Sequence, residues 1–276
     1  MGSRRHITPG ASIQGFFYHR PRENWPTVAE ACSKVVAAGL GVEVWSQRGR
    51  GEPELAGDVL ARTRAVCSGS AFTTMHSSYA HWRWDPTALR AQIDLAAAIG
   101  AHALILHVGG LGLTKRGSQL RVPLVKRLAE HAASRNVRLW VENSSDGAWA
   151  LDRILDEMGD DPETTNLGIC IDIGHAHISR DIPGDPVLGY LERYRDVLRH
   201  LHLHDNDGRA DDHRIPGQGT IDWDAVSSWL RSAAISVPAV LELHAEVDPM
   251  DAIDEAMATL ARHALFSPQR HTVGKP

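Results

Sequence analysis

Residues 201–214 read LHLHDNDGRADDHR. Counting His200 just ahead of them, fifteen residues hold four histidines and five acids or amides. The first half alternates Leu with His, the two-residue repeat of a strand, and the second half, with Gly208 and its aspartates, reads as a loop. Taken alone, the stretch fits a solvated acidic turn as well as a strand that feeds a metal site. Alternation puts His200, His202 and His204 on one face at steps of roughly 6.6 Å, so only one or two of them reach a common mouth. His202 is read as the ligand, His204 as a rim group and His200 as a buried structural histidine.

The rest of the chain decides between those readings. Short apolar runs recur at Ser12–Phe17, Gly41–Trp45, Ala71–His76, Ala103–His107, Arg138–Glu142, Leu167–Asp172, Arg199–His204 and Ala239–Glu242. Helix-like segments of roughly 10–17 residues separate these strands, the pattern of βαβ units on a parallel sheet. Asp85-Pro86 predicts the start of a helix over Leu89–Ile99, and Gly100 its end. Asp248-Pro249 does the same for Met250–His263, and Asp222 caps Asp224–Leu230. Eight such units in 276 residues predict an α/β fold, a (β/α)8 TIM barrel, as a single domain over 1–276. The rival, a doubly wound sheet, brings a Gly-rich phosphate turn after its first strand, where Gly15 stands alone.

Composition narrows the class. The chain is 43% hydrophobic with a net charge of −5, enough for a large core and without the basic footprint of a nucleic-acid binder. Three scattered cysteines, Cys32, Cys67 and Cys170, suit a reduced, cytoplasmic setting. MGSRRHITPG lacks the apolar stretch of a signal peptide, and no run of about 18 apolar residues suggests a membrane span.

In a barrel, chemistry sits where the strands end. Strand two carries Glu43. Strands three to eight end in His76, His107, Glu142, Asp172 (with His175 one turn later), His202 and Glu242. Each tip alone is unremarkable rim polarity. Six in succession converge on one mouth, where bare carboxylates would repel unless a cation neutralised them. Mixed imidazole and carboxylate donors suit a divalent metal, Mn, Zn, Co or Mg, with room for more than one ion. Asp211 and His213, two residues apart in the loop, can clamp a further ion.

At LILHVGG, LWVENS, GICIDIGHAHI, HLHLHDND and HRIPGQGTIDW, over roughly Leu40 to Leu265, the chain resembles the xylose isomerase-like TIM barrels. That superfamily holds sugar phosphate isomerase/epimerase-like proteins and endonuclease IV-type nucleases. The resemblance implies a one-metal core on Glu142, Asp172, His202 and Glu242. The endonuclease IV pattern adds His76, His107, His175, Asp211 and His213 around three zinc ions, and all five positions carry the matching residue type. The pattern of the ketose 3-epimerases is incomplete: a substrate Glu would fall on Ala148, and an Arg on Gly208, one place from Arg209.

The resemblance implies a metal-dependent isomerase or epimerase acting through an enediolate, with Glu142 and Glu242 moving the proton. His175, Glu43, Trp82, Trp84 and Arg209 are then the substrate-contacting candidates on a carbohydrate-like small molecule, with a salt bridge inside the barrel the equal alternative for Glu43. The alternative is an apurinic-site phosphodiesterase with a trinuclear zinc site. Its nucleic-acid contacts would come from Tyr79, Trp82, Arg83 and Trp84, with Lys115, Arg116 and Arg121. The net charge weighs against it. Barrels of this kind often form homodimers.

Overall fold

The computed structural model describes residues 7–18, 20–46, 55–77, 85–111, 113, 121–144 and 147–266. Eight parallel strands close on themselves in sequence order. They are β1 Thr8–Ser12, β2 Gly41–Ser46, β3 Thr73–Ser77, β4 Ala103–His107, β5 Arg138–Glu142, β6 Leu167–Asp172, β7 Leu198–Leu203 and β8 Pro238–Leu241. Helices fill the connections, and the main apolar core lies between them and the outer face of the barrel. Their starts follow local chemistry. Asp85 caps Pro86–Ile99 through the Thr87 and Ala88 amides, and Gly100 ends that helix at φ 80°. Asp222 and Asp248 cap Trp223–Ser232 and Pro249–Arg262 in the same way. No helix among the described residues is long and apolar enough to cross a membrane.

The first strand departs from expectation. Ser12–Phe17 is not a strand: β1 ends at Ser12, and Ile13–Phe16 is a 3-10 turn whose Gln14 amide donates to the Ser12 hydroxyl. Pro9-Gly10 lies inside β1, where the floor of the barrel leaves no room for a side chain at Gly10. A β-carbon on Gly10 would lie 2.4 Å from the Phe72 ring, and one on Gly41 2.1 Å from it. Gly41→Ala is therefore expected to destabilise the fold by about 1–3 kcal/mol, the usual cost of overpacking. A thermal melt with an unchanged midpoint would show that the Phe72 ring moves aside freely.

Above that floor the barrel interior is small and closed. Ala103, Ile105, Trp140 and Cys170 form a cluster separate from the outer core. His200 lies among them, fully buried, with its ring 5.2 Å from Trp140. The inward residues one layer higher are polar.

Candidate metal centre

Strand register brings the tips together. His107 lies opposite Glu142 on β4 and β5, and Asp172 opposite His202 on β6 and β7. Paired strands run roughly 4.8 Å apart, so side chains at matched heights meet. Glu142, Asp172, His202 and Glu242 offer donor atoms within 4.8 Å of one another. So do His76, His107 and Glu142, with Glu142 shared between the two groups. A third group joins His175, His204, Asp211 and His213.

Backbone carbonyls set the histidine rings. Nδ1 of His76 lies 3.0 Å from the Ser77 carbonyl, that of His175 2.9 Å from Asn143, and that of His213 3.0 Å from Glu242. A carbonyl only accepts, so each Nδ1 carries a proton and, in the neutral ring, each Nε2 keeps its lone pair. Those Nε2 atoms face carboxylates: Glu142 at 2.9 Å from His76, and Asp211 at 3.0 Å from His175 and 3.4 Å from His213. His202 is turned the other way. Its Nδ1 faces Glu142 at 3.3 Å, Glu242 at 3.6 Å and Asp172 at 3.9 Å.

The supports are local. The Asn143 side chain accepts from the Asp172 amide and donates to the Asp172 carbonyl, locking the end of β5 to the end of β6. Asp172 also accepts from the His175 amide, capping Ile173–Ile178. The loop after β7 is held by a two-bond bridge between Asp205 and Arg214, and the Asp205 carboxylate accepts from Gly217 and Trp223. His213 sits just inside that bridge at φ 48°.

Burial pushes every carboxyl in the cluster up and every imidazole down, and the neighbours decide the outcome. His107 and His202 hold the Glu142 carboxyl well below the carboxylate range, and His175 and His204 do the same for Asp172. Glu142 raises His76 to about 9. Glu242 keeps the effect of burial, reinforced by Glu43 and Glu142 against His202 and His76, and rises to about 7. His200 stays neutral at about 4 because burial dominates.

The residues fit a divalent cation. Glu142 Oε1, Asp172 Oδ2 and His202 Nδ1 are buried and make no hydrogen bond. Such atoms are costly unless something else satisfies them. The donors are imidazole nitrogens and carboxylate oxygens, the mixture that zinc, manganese and cobalt accept.

The cluster floors a cavity of about 430 Å³. It is lined by His76, Ser77, His107, His175, Asp211, His213 and Glu242, together with Gln14, Tyr18, Trp45 and His244. Two expected contacts lie elsewhere. Glu43 is fully buried beneath His202, off the cavity wall. Arg209 is exposed, with its amide on the Asp207 carboxylate. Trp82 and Trp84 lie outside the described residues, as do Tyr79, Arg83, Lys115 and Arg116.

His204, expected at the rim, is fully buried, because Gly174 leaves it room: a β-carbon there would lie 1.9 Å from its ring. Sequence reasoning also missed a column of stacked rings, Tyr18 on His244, His244 on His213 and His213 on His204, each pair 4.0 Å apart. Alternation gave one usable signal, since His244 follows Glu242 by two residues.

The sequence pattern of the Xylose isomerase-like TIM barrel family matches residues 32–263. The chain belongs to that family. An uncharacterised protein, y4fM, from Sinorhizobium fredii (strain NBRC 101917 / NGR234) is 33% identical over 175 residues, 59% of this chain and 52% of its own. The chain thus spans about half the length of that relative. A Thermus thermophilus protein solved after soaking with ZnCl2 is 26% identical, with a TM-score of 0.64 over 93% of this chain and 98% of that one. D-psicose 3-epimerase from Clostridium cellulolyticum H10, solved with D-tagatose, shares the fold at a TM-score of 0.69 and 15% identity, over 94% of this chain and all of its own.

Proposed function

We propose that the chain is a divalent-metal-dependent isomerase or epimerase acting on a sugar or related polyol. The observation that carries this reading is the pair Glu142 and Glu242. Both are buried, both belong to one donor group with Asp172 and His202, and Glu242 forms part of a cavity wall. The family and the fold shared with D-psicose 3-epimerase support it.

Glu142, Asp172, His202 and Glu242 would hold the ion. When bound, it supplies Lewis acidity toward substrate oxygens and offsets the negative charge of the cluster. The two glutamates are unequal, which is what proton transfer requires. Glu142 is held ionised and can accept a proton at its carboxylate oxygen. In the metal-free protein Glu242 rises to about 7 and exchanges a proton near neutral pH, and a bound cation would lower that value and favour the ionised carboxylate. A proton leaving the carbon beside a carbonyl to one carboxylate and returning from the other gives an enediolate route to isomerisation or epimerisation. Gln14, Tyr18, Trp45 and His244 also line the cavity and offer contacts to the rest of the substrate.

The test is proton exchange. Chelator-stripped protein is reloaded with Mn²⁺, Co²⁺, Zn²⁺ or Mg²⁺ and incubated with a panel of ketoses in D2O. Deuterium is expected at the carbon beside the carbonyl with reloaded wild type, and not with stripped protein, Glu142→Gln or Glu242→Gln. One observation favours a second reading, phosphodiester hydrolysis at a multinuclear site: the groups on His76, His107 and Glu142 and on His175, Asp211 and His213 adjoin the first. Nicking of abasic DNA without deuterium exchange would put that reading in place of the first.

A further inference from the structure

Glu43 is a fully buried carboxylate away from the cavity wall. It looks up at a histidine on the far side of the barrel. Its Oε1 lies 3.2 Å and its Oε2 3.4 Å from His202 Nε2. Thr74, its register partner on β3, donates its hydroxyl to Oε2 at 2.8 Å. His200 Nε2 lies 3.3 Å from the same oxygen. The His202 ring therefore stands between one carboxylate below and three above.

A barrel core has little structural use for that arrangement. An apolar residue of similar size stabilises a buried position at least as well as an ion pair does. What a carboxylate does and an apolar residue cannot do is accept the Nε2–H of His202. Accepting it fixes the tautomer, leaves the Nδ1 lone pair directed at the cluster and makes that nitrogen a stronger donor.

We propose that Glu43 is a positioning residue: its carboxylate holds the Nε2–H of His202 and so turns Nδ1 toward Glu142, Asp172 and Glu242. Thr74 orients that carboxylate, and His200 fills its remaining side. The role rests on the reading of His202 as a metal ligand, and it removes Glu43 from the substrate contacts.

The experiment measures Zn²⁺ affinity by competition with a chromophoric chelator, alongside nitrogen-15 NMR of histidine-labelled protein. Wild type loaded with Zn²⁺ is expected to show His202 as the Nε2–H tautomer, a signature that a merely structural Glu43 would leave unspecified. Glu43→Gln is expected to bind Zn²⁺ about 10–100-fold more weakly. Thr74→Val, which keeps the carboxylate and is the milder change should Glu43→Gln fail to fold, is expected to weaken binding by a smaller factor in the same direction. A wild-type spectrum with the proton on Nδ1, or Glu43→Gln and Thr74→Val proteins with wild-type affinity, would overturn the proposal. His202→Asn separates the two levels. If it binds Zn²⁺ as tightly as wild type, the ligand reading falls and the Glu43 role with it. If it binds weakly while Glu43→Gln does not, only the Glu43 role falls.

Discussion

Glu142→Gln protein is expected to retain less Zn²⁺ after dialysis than wild type, as measured by elemental analysis. Glu142 belongs to two donor groups, one with Asp172, His202 and Glu242 and one with His76 and His107, so its loss weakens both at once. A variant that keeps the wild-type metal content would remove Glu142 from the ligand set. The metal-free protein should suffer as well. Glu142 is the buried anion facing His76 at 2.9 Å, His107 at 3.2 Å, and His175 and His202 at 3.3 Å. Removing one partner of a buried ion pair costs about 3–5 kcal/mol.

That cost depends on pH. His76 is raised from 6.5 to about 9, so its share of the stabilisation is complete below pH 6.5 and is lost as pH rises through 9. Glu142 is lowered, so its share is complete above 4.5 and is lost as pH falls below that. The stability gap between wild type and Glu142→Gln, measured by denaturant unfolding in chelator, is expected to be wide near pH 6 and narrower near pH 9.5. A constant gap would mean that the pair contributes no such linkage.

Why Glu142 was legible in the sequence, while Glu43 stayed open between a substrate contact and a salt bridge inside the barrel, follows from what alternation reports. A two-residue period tells which face of a strand a side chain occupies, and RLWVE ends on its inward carboxylate. The period does not report height. Glu43 pairs with Ser12 and Thr74, while Trp45 pairs with His76, so Glu43 stands one layer below the tips. Register between strands distant in sequence sets that layer, and a single run of residues does not contain it. The burial of His204 was hidden for the same reason, since it depends on Gly174 from another strand's end. The first strand was placed at Ser12–Phe17, and the true β1 lies earlier, where Gly10 packs against Phe72 and pairs with Gly41, contacts that the local run of residues does not contain. The polar tips of β3 to β8 survived this limit because each closes an apolar run of its own. Barrel closure needs only their order.

Glu242 should behave in the opposite way to Glu142 when no metal is bound. Its carboxyl rises from 4.5 to about 7, chiefly through burial, with the Glu43 and Glu142 charges reinforcing it against His202 and His76. A raised pKa means that the folded state prefers the protonated form. The contribution is therefore complete below pH 4.5 and is lost as pH climbs through 7, leaving a buried charge that costs on the order of 2–3 kcal/mol. Gln at this position is neutral at every pH. In chelator at pH 8, Glu242→Gln is expected to melt several degrees above wild type, and near pH 4.5 the two should melt together. Adding Zn²⁺ at pH 8 should reverse the order, because the ionised carboxylate then stabilises the folded state as a ligand while the amide is the weaker donor. This crossing of the two melting curves on metal addition separates a ligand from a buried acid that merely tolerates its surroundings. If Glu242→Gln stays the more stable protein with Zn²⁺ present, Glu242 is no ligand, and the four-residue donor group is reduced to three.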